Sequence, residues 1–219
     1  MMSLPTLALC AVLLAGFDEP ASSAQRAEEP ALRAELLRRM EADQAARLEL
    51  VEWIKRHGAN DDRVLERLSD ALRAEHAQLT SRVQSVDAEN TRWLKPILEK
   101  RGWPTRKQVG KDGAQAAWLL VQHADADPGF QRACLDRIAK LPSGEVSPAD
   151  VALLTDRVLL AEGQPQRYGT QFVIVQGRLQ PRPLADPETV DQRHAAAGLP
   201  PLAEYIQQLE QLYGTHSPR

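Results

Sequence analysis

The stretch Ala114 to Pro128, AQAAWLLVQHADADP, decides how this chain folds. Ala114, Ala116, Ala117, Trp118, Leu119, Leu120, Val121 and Ala124 cover nearly every face of a helix running from about Asp112 to Asp125. A helix that is apolar all round predicts burial in the middle of a protein rather than a place on its surface. Polar residues follow at once. Trp118, Gln122 and Asp125 fall at i, i+4 and i+7 and share a face, while His123 points about a quarter-turn away near the helix end. Burying Gln or His without partners costs about 1–3 kcal/mol each, so this helix end has to find hydrogen-bonding partners elsewhere in the chain.

The flanking sequence reads as more helices. Pro30 to His57 is a long candidate with Leu36, Leu37, Met40, Leu48, Val51 and Ile54 near one stripe and a stop at Gly58. Asn60 caps a second segment whose first turn holds Asp61 and Asp62. Its pattern runs through Leu79, Val83 and Val86 to Asn90, and a further turn or two around Trp93 to Leu98 is interrupted or kinked at Pro96. Thr105 with Gln108 is a capping-box pattern broken by Gly110. Asp127-Pro128 and Ser147-Pro148 open helices near 128–140 and 148–161, and Asp186-Pro187 opens another that Gly198 ends, with a last helix over Pro200 to Tyr213. Between them, Gln171 to Val175 is β-rich, Gln176-Gly177-Arg178 is turn material, and Leu179 to Pro183 can pair back. The expectation is a mainly α (α+β) fold, a multi-helix single domain over residues 25–219 with one small β-hairpin near 170–184.

Composition sets the class. Hydrophobic residues at 43% and charged residues at 26% of 219 are those of a globular chain with a real core. Leu4 to Phe17 carries no charge and is too short to span a bilayer comfortably, and Ser22 and Ala24 are the small residues a signal peptidase accepts, so residues 1–24 read as a signal peptide and the protein as exported, periplasmic or secreted. The first residues hold no Lys or Arg, which leaves a buried N-terminal strand or an uncleaved anchor open. Loss of the leader removes Asp18 and Glu19 and no base, moving the net charge from −3 to −1. With no basic stripe, nucleic acid is not an expected partner, and none is expected in a membrane after leader removal. The mature chain keeps only Cys134, so stability has to come from packing rather than from a disulfide.

Chemistry has three candidate locations. His123 can act as a general acid or base, oriented by Asp125, Asp127 or another carboxylate; equally, it can cap the helix C-terminus while Asp127 caps the next helix. A metal shared by His123 and Asp125 fits poorly, because residues two apart on a helix project to different sides, and no metal or other cofactor is assigned. Tyr168, Thr170 and Gln171, around a Gly169 that permits positive φ, offer neutral donors and acceptors for a polar ligand, or else form a turn that satisfies its own backbone. Asp156-Arg157 places an acid and a base in an apolar helix, beside a pocket or as a structural ion pair. Asp43 with Arg47, on nearly the same face as Met40, Leu50 and Ile54, and Asp87 with Asn90, which resemble a capping device, read as structural.

Taken in order, Gly102-Trp103-Pro104-Thr105, Val109-Gly110, Ala117 to Asp125, Asp156-Arg157, Tyr168-Gly169-Thr170-Gln171 and Gly198 to Leu202 resemble a bacterial family known only as a domain of unknown function, across residues 30 to 205. The resemblance implies a shared fold and, since many members look exported, agrees with the leader. It implies no activity. Where members tend to have a second arginine this chain has His194, which adds that histidine to the candidates.

Two readings follow. In the first, a pocket for a small polar ligand is lined by Trp103, Trp118, Gln122, Arg157, Tyr168, Thr170 and Gln171, with His123, Asp125 and Asp156 as catalytic candidates of a hydrolase or transferase that forms no covalent intermediate. In the second, the same residues form the rigid polar core of a non-catalytic binding or scaffold module, and the chain is not an enzyme.

Overall fold

The computed structural model describes residues 27–59, 62–175 and 178–213. The leader expected over residues 1–24, the cap expected at Asn60 and the hairpin turn at Gln176-Gly177 lie outside the described residues. Eight α-helices and one two-stranded hairpin are present among those described: α1 (Pro30–His57), α2 (Asp62–Arg67), α3 (Asp70–Arg101), α4 (Arg106–Gln122), α5 (Pro128–Ile138), α6 (Pro148–Ala161), β1 (Phe172–Val175), β2 (Arg178–Pro181), α7 (Val190–Ala197) and α8 (Leu202–Tyr213). The mainly α expectation holds. No helix among the described residues is long and apolar enough to cross a membrane.

Backbone contacts divide the chain into two compact units. One takes Ala46–Val83 and the chain from Pro148 onward, and the other takes residues 27–45 with Gln84–Ser147, so α1 and α3 each contribute to both.

The unit containing α4 is built as its sequence requires. Val109, Gly113, Ala114 and every residue from Ala116 to Gln122 are buried, as expected of a helix with no polar face. The capping box forms: Thr105 accepts from the Gln108 N–H, and the Gln108 side chain accepts from the Thr105 N–H at 2.9 Å. Gly110 at φ 77° then kinks the helix, and only glycine suits the site, because a Cβ there would come within 2.8 Å of the Asp112 carboxylate. Arg33 of α1 grips that carboxylate and Arg137 of α5 donates to the Leu98 carbonyl of α3 at 3.0 Å, so polar ties join α1 to α4 and α5 to α3 beside the core of Leu36, Leu94, Leu98, Trp118, Leu120 and Phe130.

Two expectations on the long helices change. α3 runs unbroken through Pro96, while its start moves to Asp70: Ser69 accepts from the Leu72 N–H at 3.4 Å and Arg73 donates to the Glu66 and Leu68 carbonyls, splitting off the short α2. On α1 the stripe is rotated. Leu36, Asp43, Ala46, Leu50 and Trp53 are the buried set, with heptad spacing, and Leu48 is 57% exposed.

In the other unit the buried side chains include Leu154 and Val158 of α6, Phe172 of the hairpin and Tyr205 of α8, with the Phe172 and Tyr205 rings 6.1 Å apart. The hairpin is antiparallel with Phe172 opposite Pro181 and Val175 opposite Arg178. The Asp186-Pro187 signal opens only a 3-10 turn, Pro187–Thr189, before α7, since Asp186 sits in the left-handed region at φ 45° and its side chain caps nothing. Gly198 at φ 71° ends α7 as expected.

Asp127 does cap α5, accepting from the Phe130 N–H at 3.0 Å, and pairs with Lys95 at 2.5 Å. The Lys95 hydrogen bond holds its carboxyl below the ordinary value, against a smaller opposing effect of burial. A carboxyl lowered on folding stabilises above its unfolded pKa, about 3.9, and loses that contribution as pH falls through the folded value. Asp127→Ala is expected to cost about 1 kcal/mol at neutral pH. Urea unfolding of both proteins from pH 7 to pH 3 should show the gap closing below about pH 4; a gap that stays constant contradicts the assignment.

Candidate functional site

Three side chains that the sequence scatters over 80 positions meet inside the α4 unit. Asp43 lies in the buried stripe of α1 and is 1% exposed, His123 stands at the C-cap of α4 and is 2% exposed, and Asp87 is half-buried on α3. The His123 Nδ1 is 2.9 Å from both carboxylate oxygens of Asp43. A carboxylate accepts, so Nδ1–H donates, which in the neutral ring leaves the lone pair on Nε2. Asp87 joins this pair, such that one donor atom from each of the three lies within 4.8 Å of the others.

Neighbouring groups hold the cluster in place. Gln44 donates to Asp43 Oδ2 at 2.8 Å. Arg39, one turn before Asp43, lies over the Trp93 ring at 4.4 Å and donates through Nη1 to Asn90 Oδ1 at 3.2 Å. Asn90 is one turn beyond Asp87 and is buried; its Nδ2 has no hydrogen-bond partner among the described residues. Neither Asp87 nor Asn90 caps anything, because both sit inside α3.

The carboxylate on Nδ1 is therefore Asp43, a residue that the sequence had left among the other carboxylates beside the named candidates Asp125, Asp127 and Asp156. Asp125 is exposed and accepts from Gln131 Nε2 at 3.2 Å. That same amide donates to the Val121 and Gln122 carbonyls at 3.2 and 3.1 Å, so Gln131, 1% exposed, closes the C-terminus of α4. Gln122 and Trp118 are buried on α4, and Trp103 is buried with its Nε1 lacking a partner among the described residues.

The other unit holds Asp156, Arg157, Tyr168, Thr170, Gln171 and His194. Asp156, fully buried on α6, is a loop anchor. Its Oδ1 accepts from the Arg167 and Tyr168 N–H groups at 2.7 and 2.8 Å, and its Oδ2 accepts from the N–H and hydroxyl of Thr170, both at 2.9 Å. Burial pushes this carboxyl up, and the four donors pull it back. Gln166 completes the loop, donating to the Gln171 and Arg182 carbonyls at 3.0 and 2.9 Å and accepting from the Gln171 N–H at 2.9 Å, while the Gln171 side chain donates to Thr170 Oγ1 at 3.2 Å. Gly169 adopts φ 75° there. His194 Nδ1 faces the Pro200 carbonyl at 2.5 Å and Nε2 faces the Tyr168 carbonyl, which ties α7 to the same loop. Of the residues that the sequence left open as ligand donors or as a turn satisfying its own backbone, Thr170 engages Asp156 and Gln171 engages Thr170 through their side chains, while Asp156 and Gln166 hold the backbone of the turn. Arg157 lies beside Asp156, 5% exposed.

Asp43 and Asp87 were legible as carboxylates but not as site residues. Each occupies a position in the buried stripe of its helix, Asp43 between Leu36 and Leu50 and Asp87 between Val83 and Asn90, and an ionisable residue at a core position is the signal that marks them.

A mainly α protein with a small hairpin and an internal histidine–carboxylate cluster is the class that these features define. The chain belongs to the family of unknown function DUF6624, whose model matches residues 30–217. No curated protein and no solved structure matches it.

Two outcomes check the roles assigned above. Asp156→Asn replaces an acceptor oxygen by an amide that faces N–H groups, and is expected to lower unfolding stability by about 2–4 kcal/mol in urea, with a change below about 0.5 kcal/mol contradicting the anchor. Burial pushes the Cys134 thiol up to about 12, so iodoacetamide at pH 8 should label Cys134 at least about a hundredfold more slowly in the native protein than in urea, followed by peptide mass spectrometry.

Proposed function

We propose that this chain is an exported protein that binds a small polar ligand at the Asp43–His123 cluster, with His123 serving as acid or base in a hydrolase- or transferase-type reaction without a covalent intermediate. The observation that carries the reading is the 2.9 Å contact between two ionisable side chains that are only 1 and 2% exposed. Taking such a pair out of water is costly, and Asp43 stands where the α1 stripe would otherwise take an apolar side chain. A carboxylate on Nδ1 fixes the ring and its tautomer, which is the arrangement a catalytic or ligand-holding histidine needs. The buried, high-pKa thiol of Cys134 argues against a cysteine nucleophile. The leader of residues 1–24 supports export.

A second reading has its own support. The Asp156 loop is hydrogen-bonded to itself, as a non-catalytic scaffold or binding module would have it, and this half of the chain then serves only to present a rigid surface.

Thermal unfolding of the purified protein against a library of polar metabolites separates the two. A compound at a hundred times its Kd is expected to raise the wild-type midpoint by about 5–10 °C and to leave His123→Ala unmoved, while Gln171→Ala responds as wild type does. If no compound moves wild type, or if His123→Ala responds equally, the scaffold reading stands. Intact mass of the periplasmic fraction and of the culture medium tests export: a chain beginning at residue 25 is expected in one of them, and absence of the protein from both refutes it.

A further inference from the structure

We propose that Asp43, Asp87 and His123 form a binding site for a divalent transition-metal cation of the zinc or manganese type. This names the ligand class of the cluster just described and rests on the reading of that cluster as a binding site.

The donor set argues first. Two carboxylates and one imidazole supply oxygen and nitrogen ligands with two negative charges, which match one divalent cation. The nitrogen ligand selects against magnesium and calcium, which take oxygen almost throughout.

Geometry argues second. Metal–ligand bonds of about 2.0–2.2 Å place two ligands of one ion no more than about 4.4 Å apart, so donor atoms within 4.8 Å need to draw in by only a few tenths of an ångström. His123 Nδ1 and the Asp43 oxygens, at 2.9 Å, already stand at the separation of adjacent ligands about such an ion. In the absence of metal the Nδ1 proton occupies this gap, and the cation takes its place.

The surroundings argue third. The three ligands come from three helices, α1, α3 and the end of α4, so their Cβ positions are set by packed elements rather than by a loop. Gln44 on Asp43 supplies the outer hydrogen bond that orients a metal-ligating carboxylate. His123 and Asp43 are 2 and 1% exposed, and half-buried Asp87 gives a bare ion a way in to them. Three protein ligands leave at least one coordination position for water or for an oxygen of a polar ligand.

The spacing objection raised against His123 with Asp125 does not apply, since that pair shares one helix end and this set converges from separate helices.

The test uses the full chain, stripped with EDTA and dialysed, then titrated with Zn2+, with Mn2+ and with Mg2+ in separate calorimetric runs, with metal retention after gel filtration read by mass spectrometry. Wild type is expected to retain about one Zn2+ or Mn2+ per chain and no Mg2+. Asp87→Asn keeps the side-chain shape at a half-buried position and is expected to fold, as its circular-dichroism melt will report, while binding at least about a hundredfold more weakly; Asp43→Asn should behave alike. Failure of wild type to retain either metal overturns the proposal, as does unchanged affinity in both variants, which would place the ion elsewhere. The outcome is separable from that of the previous section. Metal retention is read with no organic compound present, and a compound that stabilises EDTA-treated wild type while no metal is retained removes the metal and leaves the polar-ligand reading standing.

Discussion

Helix α4 is buried at every residue from Ala116 to Gln122, and this one constraint organises its unit. A helix of that kind has no side to give to water, so other helices have to close around it. α1, α3 and α5 do so through their own apolar stripes, with Arg33 to Asp112 and Arg137 to the Leu98 carbonyl as the polar ties. The helix also has to end, and its end falls inside the core. Its last carbonyls need donors there: the His123 and Ala124 N–H groups serve Leu119 and Val121, and Gln131 reaches back from α5 to donate to Val121 and Gln122. His123, at the cap itself, turns its ring to Asp43.

The same rule, that buried polar groups are matched, gives opposite results in the two units. Around Asp156 it yields a closed system in which both carboxylate oxygens and the Gln166 amide are engaged by the backbone of residues 166–171 and by Arg182. Such a loop is held rigidly. Around His123 the partners are other ionisable side chains, Asp43 and Asp87, and charge is gathered rather than dispersed over backbone dipoles. A fold gains little stability from bringing together like-charged carboxylates, and for that reason this cluster, more than the Asp156 loop, carries the functional reading.

Much of the architecture was legible in local signals. The Thr105–Gln108 box, the Asp127-Pro128 start and the Gly58 and Gly198 stops act through the backbone of adjacent residues, and the helices begin and end where those signals stand. Signals that depended on competition were less secure. Pro96 removes one N–H from α3 without breaking it, and Ser69, with a hydroxyl ready to cap, divides a pattern that reads as continuous.

The sequence by itself determined the helical class, the hairpin, the buried character of α4 and the need for partners at its polar end, because each follows from periodicity, turn chemistry or the cost of burying a polar group. Tertiary structure alone decided who those partners are. α1 carries apolar residues on more than one side, and periodicity within a single helix does not say which side meets the core; that is settled by the helices packed against it. Their choice exposes Leu48, buries Trp53 and turns Asp43 inward to His123, making a surface-style helical carboxylate into the centre of the candidate site.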